Sequence, residues 1–262
     1  MKLDDEIQRY VPEFPAKQWP VTVRQAMGDV AGLKTEDPDN GVLTSSHCER
    51  PADAVALFAK EPLLFQPGTE YRDSTFGWVL LSAVVEAAAD TPFDTFLTER
   101  IFRPLGMLDT FKKSVTNPPP DRATSYNPRF AANPVYGLRP LPKFDYSCHA
   151  GSNGFLSTPS DLVRFGMSIN RGKLLRPQTV RTLQTPQRLA SGQQTSYGLG
   201  WDLKTVTLGG QQVQAAGHNG HFWVEEVTSL LTFPERGLAV AVMSNVSFAG
   251  TPAVAERIAQ AF

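Results

Sequence analysis

The fold is decided by residues 65–86, which read FQPGTEYRDSTFGWVLLSAVVE. From Phe76 to Ala89 the chain is apolar nearly all round, and this pattern predicts a helix that is buried on most of its faces. Asp73 stands just before the apolar run, where its carboxylate can cap the helix if the helix begins near Ser74 or Thr75. The stretch therefore predicts a central buried helix that is entered through a polar segment.

Further helices are predicted on both sides of the central one from their caps and from the proline and glycine residues at their borders. The predicted helices are 23–30, 52–60, 93–102, a helix that ends at Asn170 after a cap at Thr158 or Ser160, and 177–184. Residues 114–147 carry many prolines and little periodicity, which predicts a long surface excursion. That excursion either lines a cleft or is a solvated insertion.

The last third of the chain changes to the period of strands. Strands are predicted at 197–203, 206–208, 213–216, 227–233 and 238–244. Gly209-Gly210 is a hairpin turn pair, and Pro234 to Gly237 forms a second turn. We expect one domain over 1–262, with a helix-rich lobe at about 20–190, antiparallel hairpins at 197–246 and a terminal helix at 252–262. Helices followed by hairpins indicate the α+β class.

Composition excludes several classes of function. The chain of 262 residues is 41% hydrophobic and 19% charged, and its net charge is −1. We therefore expect no nucleic-acid partner, and no apolar run approaches the length of a membrane span. The two cysteines adjoin histidines, in His47-Cys48 and Cys148-His149, but a spacing of this kind matches no familiar zinc pattern and is weak evidence for a disulfide. We expect no metal and no cofactor.

Eight pieces of the chain occur in the order and at the spacing of one known family. They are LDDEIQRYVPEFP (3–15), VTVRQAMGDVAGL (21–33), FQPGTEYRDSTFGWVLLSAVVE (65–86), IFRPLGMLDT (101–110), GSNGFLSTPSDLVRFG (151–166), YGLGW (197–201), GHNG (217–220) and FPERGLAVAVMSN (233–245). The chain resembles the superfamily of class C β-lactamases, D-alanyl-D-alanine carboxypeptidases and esterases, and it is most similar to the branch containing the mitochondrial serine β-lactamase-like protein. The resemblance covers nearly the whole chain, and it implies the β-lactamase/transpeptidase-like fold.

The resemblance also implies a site built from three motifs. The second motif, Tyr-Ser/Ala-Asn, aligns with Asp73-Ser74-Thr75, although a small register error would make Tyr71 the functional phenol. The third motif, Lys-Thr-Gly or His-Thr-Gly, aligns with His218-Asn219-Gly220. It implies catalytic roles for Asp73 and His218.

The same alignment implies substrate contacts, which are expected from Tyr71, Ser74, Thr75, Asn219 and Gly220. For Asp73 the alternative is a simple helix cap, and for His218 it is a turn residue before a strand. The bulky, acidic residues 221–226 that follow the third motif put the family's usual substrate pocket in doubt.

The first motif, Ser-x-x-Lys, supplies the nucleophile of this chemistry, and it does not occur within residues 1–262. We expect the family's N-terminal strands and nucleophile helix to be missing from this chain, which would leave a three-stranded sheet with an open edge that favours self-association. Two functions stay open. One is a serine hydrolase of esters, amides or small peptides that is inactive as it stands, and the other is a non-catalytic binding or scaffold protein derived from the same fold.

Overall fold

The computed structural model describes residues 1–36, 41–113, 119, 121–130, 133–141, 144–221 and 227–262. The α-helices are α1 (Val23–Met27), α2 (Pro51–Phe58), α3 (Thr75–Ala89), α4 (Phe93–Leu97), α5 (Arg103–Leu105), α6 (Ala150–Asn153), α7 (Pro159–Asn170), α8 (Pro177–Leu183) and α9 (Thr251–Ala259). The strands are β1 (Phe111–Lys112), β2 (Tyr126–Phe130), β3 (Asn133–Pro140), β4 (Phe155–Leu156), β5 (Asp202–Leu208), β6 (Gln211–His221), β7 (Val227–Phe233) and β8 (Leu238–Ser244).

The central helix α3 is the buried helix that the apolar run predicts. Val79 and Leu80 have no exposed surface, and the helix packs against α1 and α2. Burying a side chain of this size typically contributes about 1.5–3 kcal/mol. The helix ends at Asp90, which adopts a left-handed conformation at φ 49°. The predicted helix over 93–102 is interrupted, since α4 is followed by a π-helical turn at Thr98–Phe102 before α5.

The main sheet has four antiparallel strands in the order β5-β6-β7-β8. The expectation of three strands is therefore wrong, because Asp202 to Leu208 pairs with Gly217 to Gln211 along its whole length. The predicted strand over 197–203 begins only at Asp202. Gly209 and Gly210 both have positive φ, 56° and 79°, as a tight turn between β5 and β6 requires.

Helices cover both faces of this sheet. On one face α9 buries Ala255 and Ala259 against β5 to β8. On the other face α7 and α8 pack through Ile169 and Val180 against Ala216 of β6. The predicted helix-rich lobe thus includes two helices that belong structurally to the sheet, since α7 contacts β7 and β8.

Part of the surface excursion is an ordered hairpin. The strands β2 and β3 pair with each other and expose most of their residues, including Val135 and Tyr136. The sequence did not predict this hairpin, because its prolines interrupt the alternating pattern from which strands are predicted. Within the described residues no single helix is long and apolar enough to cross a membrane, and only the strongly bent pair of α3 with 93–105 meets that length together.

A disulfide joins Cys48 to Cys148, with their Cα atoms 5.0 Å apart. The sequence spacing gave no indication of this pairing, because it arises when α2 packs beside the 3-10 turn at Ser147–His149. The neighbouring contacts reinforce it: the backbone N–H of Cys48 donates to Ser147 Oγ at 3.0 Å. With both sulfurs bonded to each other, neither cysteine serves as a zinc ligand.

Candidate functional site

The entry to α3 is capped by Ser74 and not by Asp73. The hydroxyl of Ser74 accepts a hydrogen bond from the backbone N–H of Gly77 at 2.9 Å and donates to the carbonyl of Lys34 at 2.7 Å. Ser74 is 3% exposed, and it does not line the cavity described below. The Ser74 hydroxyl, which was predicted to contact substrate, therefore caps the helix instead. Asp73 does not have the capping role.

A cavity of about 1340 Å³ opens between the start of α3 and the end of β6. Asp73, Thr75 and Trp78 line it from the α3 side, and His218, Asn219 and Gly220 line it from β6. The structure thus brings Asp73 and His218 to one cavity, together with three of the five predicted substrate-contact residues. Their chemical roles stay predictions.

His218 is held by two hydrogen bonds. Its Nε2 lies 3.0 Å from the hydroxyl of Tyr197, and its Nδ1 lies 3.1 Å from the backbone carbonyl of Asn219. Since a carbonyl only accepts, Nδ1 carries a proton, and in the neutral ring Nε2 accepts the hydroxyl proton of Tyr197. Tyr197 is 1% exposed, so the imidazole is oriented by a side chain that cannot move away.

The next two residues of β6 differ in what they offer. The Asn219 side chain is bonded to β7, where Ser229 Oγ donates to its Oδ1 at 2.7 Å. Gly220 has no side chain to intrude on the cavity, and a Cβ at this position would come within 2.4 Å of Thr228 Oγ1. Gly220 therefore leaves backbone accessible where a larger residue would not fit.

Tyr71, the other candidate for the second motif's phenol, does not line the cavity. Its ring packs against the ring of Tyr197, with centroids 5.5 Å apart. Burial raises the pKa of the Tyr71 hydroxyl, and the nearby carboxylates raise it further. Of the two residues weighed for the second motif, Asp73 is the one that faces the cavity.

Asp73 is an exposed residue, but its carboxyl lies in the concave wall of the cavity. The cavity walls remove part of its water, and this desolvation raises the pKa of Asp73 above its ordinary value. The His218 side chain opposes that rise, and the carboxylate of Asp202 adds to it. The result is a carboxylate that binds a proton more readily than an ordinary surface aspartate.

Sequence reasoning missed a second carboxyl behind Asp73. Asp29 is 2% exposed, and burial raises the pKa of its carboxyl to about 8, with a further contribution from the charge of Asp73. Its only signal in the sequence is that a carboxylate follows Met27-Gly28 in an otherwise apolar stretch. Tyr197 was also missed as a site residue, although it lies in the YGLGW piece.

The cavity lining also includes aromatic and cationic side chains. Phe102, Phe155 and Phe165 line it, and so do Lys113 and Arg122. The Lys113 ammonium lies 4.1 Å from the centre of the Tyr146 ring and 3.3 Å from Asn153 Oδ1. Among the described residues no group of three His, Cys, Asp or Glu side chains converges as a metal site would require. Of the bulky stretch 221–226, residues 222–226 lie outside the described residues.

The alignments with curated relatives include most of this chain but only about half of each relative. The mitochondrial serine beta-lactamase-like protein LACTB of Mus musculus is 28% identical over 267 residues, which cover 88% of this chain and 47% of that protein. Penicillin-binding protein 4* of Bacillus subtilis (strain 168) is 24% identical over 261 residues, covering 92% of this chain and 54% of that protein. The chain therefore spans about half the length of these curated relatives.

Solved structures share the fold. A D-stereospecific amidohydrolase from Streptomyces sp. superposes with a TM-score of 0.79 at 20% identity, covering 99% of this chain and 79% of that chain. The D-amino acid amidase from Ochrobactrum anthropi SV3, complexed with L-phenylalanine amide, superposes with a TM-score of 0.73 at 24% identity, covering 94% and 69%. A family model described as Beta-lactamase matches residues 1–262. Because that match extends over the whole chain, the chain belongs to the Beta-lactamase family of serine hydrolase-type proteins.

Proposed function

We propose that residues 1–262 form the ligand-binding and proton-transfer side of an acyl-transfer site that takes small esters, amides or peptides. The observation that carries this proposal is the meeting of Asp73 and His218 on one cavity. The ligand class is supported by relatives whose names describe penicillin binding, a D-alanyl-D-alanine carboxypeptidase and amide hydrolysis. The near-neutral charge of the chain gives no support for a nucleic-acid partner.

The residues have distinct chemical capacities. Ionised Asp73 can accept a proton from an attacking hydroxyl, and its raised pKa makes it a stronger base than a surface aspartate. His218, oriented by Tyr197, presents a polar ring beside the same cavity. Gly220 leaves space for an acyl group to approach the backbone. Together these groups can bind and orient an acyl compound, and Asp73 can move a proton.

Covalent acyl transfer also needs a nucleophile, and no Ser-x-x-Lys occurs within residues 1–262. We therefore expect that the polypeptide of residues 1–262 alone binds acyl compounds without turning them over. Loss of a nucleophile typically removes several orders of magnitude in rate.

One observation favours a second candidate, a non-catalytic binding or scaffold protein. Three serines line the cavity within the described residues, and their hydroxyls form hydrogen bonds with residues other than Asp73 and His218. Ser152 bonds to the carbonyl of His149, Ser157 bonds to Thr110, and Ser244 bonds to the carbonyl of Val246. On this alternative the cavity still takes a ligand, but Asp73 contributes to affinity only.

The test is calorimetric binding of phenylalanine amide, a D-alanyl-D-alanine peptide and a 4-nitrophenyl ester to the purified polypeptide. Asp73→Asn and His218→Gln are expected to weaken the binding of at least one compound about tenfold, the value of one good hydrogen bond. Asp90→Asn is the matched control, since Asp90 is exposed at the opposite end of α3. Unchanged binding in both site variants, or no binding at all, contradicts the proposed function.

Turnover is measured on the same samples with a chromogenic ester and a cephalosporin. The expected rate equals that of a buffer blank. Turnover that is abolished by a serine-directed phosphonate would show that this polypeptide contains a working nucleophile, and it would overturn the expectation of binding without chemistry.

A further inference from the structure

Asp29 occupies an unusual position just after α1. The helix ends at Gly28, and Asp29 adopts a left-handed conformation with φ 54°. Its residue surface is 2% exposed, and within the described residues neither Oδ1 nor Oδ2 has a hydrogen-bond partner. A buried carboxylate without partners costs several kcal/mol if it stays ionised, and left-handed non-glycine residues of this kind concentrate at functional sites.

The backbone around Asp29 is fixed by bonds to distant parts of the chain. The N–H of Arg72 donates to the carbonyl of Asp29 at 2.8 Å, which ties Asp29 to the residue before Asp73. The N–H of Gly68 donates to the carbonyl of Val30 at 2.7 Å, and the N–H of Gly200 donates to the carbonyl of Met27 at 2.9 Å. These three bonds fix the backbone on both sides of Asp29, whose side chain is buried.

The groups that act on the Asp29 carboxyl come from several elements. The charge of Asp73 disfavours ionisation of the Asp29 carboxyl. The indole of Trp78, the hydroxyl of Tyr197 and the N–H of Ser74 favour its ionisation, although none of the three reaches hydrogen-bonding geometry. The titratable groups of this neighbourhood are Asp73, Tyr71, Tyr197, Asp202 and, through Tyr197, His218. Among these groups only His218 can become positively charged, and it faces Asp73 and Tyr197.

We propose that Asp29 is a positioning residue for Asp73: the two carboxyls titrate as one pair in which the buried member keeps the proton and the member on the cavity carries the charge. Two neighbouring carboxyls lose their protons in separate steps, and the more solvated one ionises first. Asp73 is the solvated member and lies near His218. The ligand then meets a single negative charge at neutral pH, and the second charge appears only when Asp29 ionises at about pH 8.

The simpler interpretation is that Asp29 only terminates α1. Aspartate tolerates the left-handed region, and the N–H of Val30 bonds back to the carbonyl of Gln25 as helix ends commonly do. On that interpretation any residue that accepts this conformation serves equally well. Asp90 provides the comparison, because it is also a left-handed aspartate at a helix end but is exposed.

The experiment is a carbon-13 NMR titration of the side-chain carboxyls in the wild type, Asp29→Asn, Asp29→Gly and Asp90→Asn. We expect one wild-type carboxyl to titrate near pH 8, and this step should vanish in both Asp29 variants and persist in Asp90→Asn. The Asp73 signal should show its own step plus a second inflection near pH 8, and only the second should be lost in Asp29→Asn. Asp29→Gly keeps the experiment decisive if the asparagine variant folds poorly.

Stability gives an independent readout. A carboxyl whose pKa is raised in the folded state is protonated when folded and ionised when unfolded, so its contribution to stability decreases as pH rises. The free energy of unfolding of the wild type relative to Asp29→Asn should therefore fall from about pH 4 to about pH 8 and then level off. A wild type in which every carboxyl titrates in the ordinary range, near pH 4, would overturn the proposal.

The relevance to ligands rests on the proposed function, and the two can fail separately. A step near pH 8 without any Asp73-dependent binding leaves the carboxyl pair intact and refutes the proposed function. Asp73-dependent binding with no such step keeps the proposed function and refutes the pair. If both hold, the ratio of the wild-type affinity for phenylalanine amide to that of Asp29→Asn should change at about pH 8, since the titration of the ligand's own amine cancels in this ratio.

Discussion

Reducing the Cys48–Cys148 bond should lower the stability of the protein substantially. The bond closes a loop across a sequence separation of 100 residues. Chain-entropy reasoning assigns about 4.7 kcal/mol to a closed loop of this length, and measured contributions are typically about 2–4 kcal/mol because the reduced unfolded chain keeps some structure. We therefore expect a loss of about 3 kcal/mol on reduction.

The assay is thermal and urea unfolding with and without a thiol reductant. For a domain of this size, 1 kcal/mol shifts the melting temperature by about 2–4 °C, so the reduced protein should melt roughly 10 °C lower. Cys48→Ala/Cys148→Ala is the matched control, and its melting temperature should not respond to reductant. Both sulfurs are buried, so reduction must be verified by counting thiols before the melt.

Two results would refute this reasoning. Two free thiols in the denatured, unreduced protein would show that the bond does not form. Equal melting temperatures for oxidised and fully reduced protein would show that the packing of α2 against Ser147–His149 holds the loop closed without the bond.

Three further predictions concern other parts of the molecule. Burial raises the pKa of Glu36, but His149 and two backbone N–H groups outweigh it and hold that pKa below its ordinary value. Glu36 therefore adds stability above about pH 4.3, and this stability is lost as pH falls through the folded pKa. Glu36→Gln should cost about 3 kcal/mol at pH 7 in urea melts, and the stability of the variant should fall less steeply at acid pH. Gly151→Ala should cost about 1–3 kcal/mol in the same assay, because its Cβ would lie 2.2 Å from the carbonyl of Trp78, whereas Gly250→Ala, with open space around it, should be neutral. The edge strand β8 should promote self-association, which light scattering over a concentration series measures; a monomer at every concentration contradicts this.

Local pattern was sufficient for most of the elements. The apolar run after Ser74 is a buried helix, the Gly209-Gly210 turn joins two strands, and the Thr158 cap starts α7. These features depend on residues close in sequence, which is where periodicity and capping chemistry act. The family's motif positions also indicated Asp73 and His218, and both line one cavity.

Tertiary neighbours were not predictable in the same way. Nothing near Cys48 in the sequence indicates Cys148, and nothing near Asp29 indicates that Tyr197 and Trp78 will surround it. Ser74 was predicted to contact substrate because it aligns with the middle residue of the family's second motif, but the extended backbone before α3 turns its hydroxyl inwards to Lys34. Such pairings depend on how the elements pack, and a single sequence does not record that.

The three backbone hydrogen bonds to residues 27–30 also bear on the order in which the protein is made. Their donors are Gly68, Arg72 and Gly200, so the turn that carries Asp29 has all its partners only after Gly200 has left the ribosome. The apolar core of α1 to α3 can collapse earlier, because its members are closer in sequence. The candidate site is therefore completed late in synthesis, after the helices that support it, and a nascent chain stalled before Gly200 would hold a folded core but an unfinished site.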